Sequence, residues 1–245
     1  MKTLRIALLA TALVAPGLAS ADFIGFAVGG GVWNETPSGT FRKTGDPADL
    51  SLTDDLFWGK ENQSYFFATL EHPVPILPNI RIMKTNMDHG GTGTTTFTFN
   101  GKTYSNTITT DASIDQLDLT LYWELLDNVV SLDFGLNAKQ LKLDYTFKDS
   151  TGNSDSDSIN QTIPMVYGLV GASPLPDLLI SAEMSYVTYS GTTVSDFTAR
   201  VAYTTSYFLG VEAGYRAQKF QLDDVAGTTS NIEFKGPFAG LYLKF

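Results

Sequence analysis

The stretch Gly236-Pro-Phe-Ala-Gly-Leu-Tyr-Leu-Lys-Phe245 ends the chain and alternates in polarity. Every second residue, counted back from the end, is apolar or proline, namely Phe245, Leu243, Leu241, Ala239 and Pro237. Lys244, Tyr242 and Gly240 lie between the last four of these. Because successive side chains of a strand point to opposite faces, one face meets hydrocarbon and the other a polar interior. The pattern predicts an all-β fold, a transmembrane antiparallel up-and-down β-barrel.

The outward residues of this strand, Leu241, Leu243 and Phe245, resemble the terminal signal by which Gram-negative outer-membrane barrels are recognised for assembly. The resemblance implies that the barrel-assembly machinery is a partner. It also implies a place in the cell outer membrane, in contact with outer-membrane lipid and lipopolysaccharide.

Residues 1–21 are organised as a secretory signal peptide. Lys2 and Arg5 form a basic region, an apolar stretch follows, and Ala19-Ser20-Ala21 is a small-x-small cleavage site. The apolar stretch is too short to span a bilayer as a mature helix. We expect cleavage after Ala21 and export through the periplasm, which leaves residues 22–245 as a single barrel domain. The alternative is that this segment stays as an amino-terminal anchor.

Composition excludes several classes of protein. Mean hydropathy is −0.01, and no other apolar run approaches the ~18–20 residues of a membrane helix. The chain has no cysteine, which excludes disulfides and thiolate sites. Its net charge of −10 argues against nucleic acid as a partner. The 22 glycines and 12% aromatic residues suit the turns and interfacial girdles of a barrel.

Period-two alternation and turn signals divide the mature chain into ten strands, with eight as the alternative. Short connections alternate with longer polar ones, as in outer-membrane barrels, whose short turns are periplasmic. The longer region 88–113 contains Asn100-Gly101 between two alternating segments, which is a hairpin signal, so the third and fourth strands are expected to continue outward. The predicted strands are 23–34, 63–71, 80–87, 114–125, 129–147, 159–172, 178–189, 195–204, 208–222 and 231–245.

Alternation also assigns an inward set of charged residues, if Phe245 faces lipid. A charge that faces lipid at mid-bilayer costs roughly 2–4 kcal/mol for Arg or Lys, whereas a charge in the lumen can find a partner. Since a ten-stranded bore is only modestly wider than side chains can fill, we expect these charges to pair and close the lumen. The set comprises Glu71, Arg81, Asp118, Glu124, Asp133, Lys139, Glu183, Asp196, Arg200, Glu212, Arg216 and Lys244.

Candidates for chemistry are few. His72 lies in a predicted turn and is expected to organise it. His89 follows Asp88, but neighbours on a strand point apart, so we expect a solvated loop residue rather than a catalytic pair. The acidic run 149–157 has alternating oxygen ligands around Gly152 but lacks the closing glutamate of an EF-hand, which favours a polar loop tip over a calcium site. The sequence therefore predicts no catalytic residue, no metal site and no cofactor.

The stretch Tyr65-Phe-Phe-Ala-Thr-Leu-Glu-His-Pro-Val-Pro-Ile-Leu-Pro-Asn-Ile-Arg81 resembles the signature of a family of small proteobacterial outer-membrane β-barrel proteins of unknown function. The LEHPxPxLPN turn is its most specific part. Similar segments run through most of the mature chain and leave the long loops out. The resemblance implies fold and location, and it carries over no ligand, activity or catalytic residue.

Three functions remain open from the sequence. The first is a monomeric, non-enzymatic structural or surface-interaction barrel with a closed, salt-bridged lumen. The second is a narrow, porin-like channel for small solutes. The third is a surface hydrolase or lipid A-modifying enzyme, which would need His89 to cluster with a serine and an acid at the barrel rim.

Overall fold

The computed structural model describes residues 24–225 and 227–245, so the signal-peptide prediction for residues 1–21 lies outside the described residues. They form one antiparallel sheet of eleven strands. Over these residues there is no helix that is long and apolar enough to cross a membrane. The strands are β1 (Gly25–Lys43), β2 (Leu50–Ser51), β3 (Glu61–Glu71), β4 (Asn79–Phe99), β5 (Lys102–Asp127), β6 (Val130–Asp149), β7 (Ser154–Leu175), β8 (Leu178–Tyr189), β9 (Thr192–Thr204), β10 (Leu209–Val225) and β11 (Thr228–Lys244).

Ten long strands close into a ring. Each pairs with its sequence neighbour, β1 pairs with β3, and β1 also pairs with β11 from Ala27↔Lys244 to Lys43↔Thr228. The two-residue β2 adds to β1 alone, at Phe41↔Leu50. The predicted antiparallel up-and-down barrel is confirmed, with the ten long strands that alternation favoured over eight.

The two ends of the barrel differ. At the short-turn end the connections are 72–78, 128–129, 176–177 and 205–208. At the opposite, long-strand end, β4 and β5 pair without a break up to Phe99↔Lys102, which confirms the outward hairpin predicted at Asn100-Gly101. The polar loop predicted between the fifth and sixth strands is wrong in its length, because β6 and β7 are joined by 150–153 only. The polar outer segments of these strands extend the sheet because inward-facing and outward-facing residues continue to alternate in them beyond the apolar belt. The one long connection that remains at this end is 44–60, which contains β2.

An apolar belt surrounds the outside of the ring. Its side chains are exposed, which in water would make an unusually large apolar patch and in hydrocarbon carries no such cost. Towards the long-strand end the belt gives way to charge, where Lys84 and Asp115 lie 3.7 Å apart on the outer face. The belt includes Phe26, Val28, Val32, Phe66, Ile82, Leu117, Leu119, Phe134, Leu136, Val166, Val170, Ile180, Val201, Val211, Leu241 and Leu243.

Phe245 lies at the seam of the ring. Its backbone N–H donates to the carbonyl of Phe26 at 2.8 Å, and the N–H of Phe26 donates back to Phe245 at 3.1 Å. Its ring stacks on Phe26 and on Phe208, with centroids 6.4 and 5.9 Å away. The last residue therefore completes the barrel at the short-turn end and adds to an outward aromatic cluster there.

Candidate functional site in the barrel interior

Eight of the twelve charged residues assigned inward form ion pairs across the bore. Neighbouring strands carry some partners, and distant strands carry others, so that one pair links β4 to β8 and another links β6 to β9. The pairs are Arg81–Glu183, Lys139–Asp118, Lys139–Asp196, Arg216–Asp196 and Arg200–Glu212.

Asp196 is the centre of the largest group. Arg216 donates to both of its carboxylate oxygens, from Nε at 3.0 Å and from Nη2 at 2.7 Å, which is the bidentate geometry of a strong pair. Lys139, whose side chain has no exposed surface, donates from Nζ to Asp196 at 3.0 Å and to Asp118 at 2.8 Å. Two cations thus pair with two carboxylates, so that none of these four buried charges lacks a partner.

Neutral residues complete this group, and sequence reasoning missed them. The amide of Gln218 donates to Asp196 at 2.8 Å and to Gln116 at 2.9 Å. Arg216 also donates to Thr85 at 3.0 Å and lies over the ring of Trp33. Gln116, Gln218 and Thr85 each lie an even number of residues from an inward charge on the same strand, which is the signal that could have found them. We call the group formed by Asp118, Lys139, Asp196, Arg216, Gln116 and Gln218 the lumen network.

Two more pairs lie beside the lumen network. Glu183 accepts from Arg81 and from the hydroxyl of Tyr167 at 3.0 Å. Glu212 accepts from Arg200 at 3.3 Å and from the hydroxyl of Tyr65 at 2.6 Å. Tyrosine hydroxyls therefore serve as the neutral donors that these buried carboxylates need.

Tyr65 reaches Glu212 because two glycines leave room for it. A Cβ at Gly31 or at Gly240 would collide with the Tyr65 hydroxyl and with the backbone of the neighbouring strand. Trp33, on the same inward face of β1, donates from Nε1 to the carbonyl of Gly236 at 3.1 Å.

Little space is left at the level of these pairs. Two cavities lie there, of about 20 and 30 Å³, and Arg81 and Glu183 line both. Each has room for about one or two water molecules.

The other four predicted inward residues, Glu71, Glu124, Asp133 and Lys244, form no ion pair with any described residue. They line a cavity of about 160 Å³ at the short-turn end, which we call the vestibule. Glu71 accepts a hydrogen bond from Tyr122 at 3.1 Å. The structure therefore divides the predicted set into a paired centre and an unpaired group at one mouth.

The long-strand mouth is filled by the connection 44–60, which we call the plug. Its Leu50, Leu52, Leu56 and Trp58 are buried against aromatic and aliphatic side chains of the extended strands, and this apolar cluster was not predicted. The strands contribute Phe97, Phe99, Tyr104, Ile108, Ala112 and Phe147.

Polar contacts hold the plug in register with the wall. Trp58 donates from Nε1 to Thr110 at 3.1 Å, and the Thr110 hydroxyl donates to the carbonyl of Leu56 at 2.7 Å. At its far end, Asp46 accepts from the backbone N–H groups of Asn100 and Gly101 at 2.8 and 2.9 Å. The first long connection is therefore a folded part of the barrel interior.

His89 is buried, so the expectation of a solvated loop residue is wrong. Its ring stacks on Trp58 of the plug at 4.9 Å and on Phe234 at 5.5 Å. Its Nε2 lies 3.0 Å from Oε1 of Glu35, and neither side chain has exposed surface. Alternate residues of β4 continue to point inward beyond the apolar belt. His89 is therefore buried, and its neighbour Asp88 is exposed on the outer face.

His72 organises the proline-rich turn, as predicted. Its Nδ1 accepts from the N–H of Val74 at 3.2 Å, its Nε2 lies 3.1 Å from the carbonyl of Pro78, and its backbone N–H donates to Asn79 at 3.0 Å. These contacts make it part of the turn that joins β3 to β4.

The acidic run 149–157 forms a turn followed by a strand. Asp149 accepts from Thr151 and Asn153, through both their backbone and side-chain donors, at 2.7–2.9 Å. Partial desolvation raises the pKa of Asp149, but these hydrogen bonds outweigh it and hold the pKa below its usual range. Within residues 24–225 and 227–245, no group of three or more His, Cys, Asp or Glu side chains is placed to hold a metal ion.

Solved structures with a similar fold are outer-membrane proteins. The outer membrane protease OmpT from Escherichia coli matches with a TM-score of 0.57 at 12% identity, over 92% of this chain and 98% of that one. The fold is that of an outer-membrane β-barrel. Ail of Yersinia pestis and Neisserial surface protein A each match at 12% identity with a TM-score of 0.38, over 91% and 90% of this chain and 99% and 97% of theirs. No protein-family model matches the sequence, and a search of the curated proteins finds no match.

Proposed function

We propose that the protein is a monomeric, non-enzymatic β-barrel of the Gram-negative outer membrane, with a structural or surface-interaction role and a lumen sealed at two levels. The observation that carries this proposal is the lumen network, beside which the remaining cavities are of about 20 and 30 Å³. The plug supports a second seal in series, because apolar side chains fill the long-strand mouth above the network.

The proposed location in the outer membrane is argued from the outer surface of the barrel. The outward apolar belt supports insertion in a bilayer, and the terminal signal Leu241, Leu243 and Phe245 supports assembly by the barrel-assembly machinery. With the short turns in the periplasm, the plug and the long strands lie outside the cell, in contact with lipopolysaccharide.

The burial of His89 argues against a hydrolase function for this protein. The partners of its ring are Glu35, Trp58 and Phe234, and its side chain offers no surface to a substrate. OmpT is a protease by its name, but at 12% identity its likeness extends to the fold and not to the activity.

Conductance in planar bilayers tests the proposal. We expect the wild-type protein to give no stable channels. Replacing residues 47–57 with a Gly-Ser linker removes one seal, and the combined variant Lys139→Ser, Asp196→Ser, Arg216→Ser removes the other. Each variant alone is expected to stay closed, while their combination conducts.

Stable high-conductance channels from the wild-type protein would overturn the sealed barrel and favour the narrow-channel alternative. Heat-modifiable mobility on gels checks that each variant has folded before it is recorded. Turnover of outer-membrane peptides or lipids that is abolished by His89→Ala would instead favour an enzyme.

A further inference from the structure

The vestibule at the short-turn end has an unbalanced charge. Four carboxylates line it, those of Glu71, Glu124, Asp127 and Asp133. Three cations line it as well, but Arg81 and Arg200 are already paired with Glu183 and Glu212, which leaves Lys244. Like charges that share a low-dielectric site repel one another unless a cation or protons join them.

Asp133 lies deepest in this group. Its residue exposure is 9%, and among the described residues its carboxylate accepts no hydrogen bond and forms no ion pair. Glu124, Asp127 and Lys244 are exposed nearer the opening. A buried carboxylate without a donor is costly, so its place on the wall of an accessible cavity points to a ligand that donates to it.

We propose that the vestibule binds a small aliphatic amine through its ammonium groups. Carboxylates accept charge-assisted hydrogen bonds from an ammonium, and Tyr122, Tyr167 and Leu169 provide an aromatic and aliphatic wall for the methylene chain. The volume of about 160 Å³ matches a molecule of roughly benzene size or slightly longer. A bare metal ion fits less well, because these acids are not grouped closely enough to ligate one.

The site depends on the geometry of the short-turn end and not on whether the lumen conducts. A primary ammonium is carried both by free diamines and by lysine side chains, and the vestibule recognises the chemistry that they share. On the topology proposed above, either source would reach the site from the periplasm.

Calorimetric titration of the folded full-length mature protein, in a neutral maltoside detergent at low salt, tests the proposal. The probes are 1,4-diaminobutane for the free amine, Nα-acetyl-lysine methylamide for a lysine side chain, and 1,4-butanediol as the uncharged control. We expect saturable binding of at least one amine and none of the diol, and the tighter amine identifies the source.

Two variants give effects of opposite sign. Asp133→Asn keeps the shape of the side chain and is expected to weaken amine binding about tenfold, as for a lost hydrogen bond to a charged group. Lys244→Gln removes the competing cation and is expected to tighten binding about threefold. Asp157→Asn, at the opposite end of the barrel, is the matched control and should change nothing.

The proposal is overturned if neither amine binds more tightly than the diol, or if Asp133→Asn and Asp157→Asn leave the affinity equally unchanged. Saturation by calcium chloride, with no amine binding, would also overturn it. Because binding is measured in detergent without a conductance readout, an open lumen would refute the proposed function and leave this result intact.

Discussion

The lumen network and the plug occupy the same inward face of one sheet, but they fill it with opposite chemistry. In the network, side chains from opposite walls meet directly, and Lys139 on β6 reaches Asp196 on β9. At the long-strand mouth, the extended wall of β4–β6 is covered by Leu52, Leu56 and Trp58 of a connecting segment. At the level of the lumen network the side chains of the ring suffice, whereas the apolar inner face of the longer strands is covered by an additional segment.

The difference also predicts how each filling fails. A buried ion group gains little over an apolar core of the same shape, but the loss of one member leaves an uncompensated charge. An apolar plug loses stability in proportion to the contacts removed and leaves no charge behind. Damage to the network should therefore reach the whole barrel, and damage to the plug should stay local.

The largest effect is expected from Asp196→Ala, because it leaves Lys139 and Arg216 buried without their shared carboxylate. We expect a loss of about 3–5 kcal/mol in the free energy of unfolding. Urea titration of the protein in lipid vesicles, followed by tryptophan fluorescence, measures it.

Asp144→Ala is the matched control. It removes a carboxylate 2.7 Å from Lys142 on the outer surface, where both side chains are nearly half exposed. Such solvent-exposed pairs contribute little to stability, so we expect a much smaller loss than for Asp196→Ala. Equal losses for the two variants would mean that the lumen network is solvated and that the contrast with the plug does not hold.

Gly91→Ala is expected to have the next largest effect and to act on the plug alone. A Cβ at Gly91 would fall on the carbonyl oxygens of Leu56 and Phe57, so the plug must move away from β4. We expect about 1–3 kcal/mol of local destabilisation, in the range of overpacking. Hydrogen exchange of residues 50–58 should accelerate, while the exchange of the belt strands stays the same.

The neighbouring Gly90 supplies the control, since it points to the outer face. The nearest atoms to a Cβ there, on Thr110 and Asp111, are 3.4 Å away, which is ordinary contact. Gly90→Ala should leave the plug protected. If Gly91→Ala unfolds the whole barrel as Asp196→Ala is expected to do, the plug belongs to the same cooperative unit as the lumen network.

The contrast between the two fillings explains what the sequence could and could not predict. The face to which a strand residue points depends only on its position along its own strand. Alternation in the sequence was therefore enough to predict the barrel. The ion-pair partners could not be assigned, because they are brought together by ring closure across long stretches of chain; Arg81 and Glu183 are an example.

The plug was missed for a different reason. Region 35–62, which separates the first two predicted strands, is rich in acids and turn residues and was treated as one of the longer polar connections, although Leu50, Leu52, Leu56 and Trp58 recur within it. Large apolar residues inside an otherwise polar connection were the available signal. The burial of His89 was missed with the plug, since Trp58 is the residue that covers it.

A double-mutant cycle on Glu35 and His89 shows whether charge also holds the plug. The two side chains are fully buried and 3.0 Å apart, next to Trp58. We expect Glu35→Gln and His89→Gln to be coupled by about 1 kcal/mol, as residues in contact are. Unfolding of the single and double variants in urea gives the coupling.

The exposed pair Lys84–Asp115, 3.7 Å apart on the outer face, is the reference cycle and should show coupling near zero. A coupling at Glu35 and His89 no larger than this reference would mean that apolar packing alone keeps the plug in place. That result would sharpen the contrast with the lumen network.

The smallest effect is expected at the tip of the β6–β7 hairpin, which neither filling supports. Hydrogen bonds from Thr151 and Asn153 hold the pKa of Asp149 below its usual range, against the opposing effect of desolvation. A carboxylate with a lowered folded-state pKa stabilises the turn above its unfolded pKa of about 3.9, and the contribution is lost as the pH falls through the folded value.

The amides of Thr151 and Asn153 should therefore be equally protected from hydrogen exchange at pH 7 and pH 5, once the rates are corrected for intrinsic exchange. Asp149→Asn should make that protection weaker at both pH values without changing the plug or the lumen network, whereas loss of protection in the wild type between pH 7 and pH 5 would contradict the assigned hydrogen bonds.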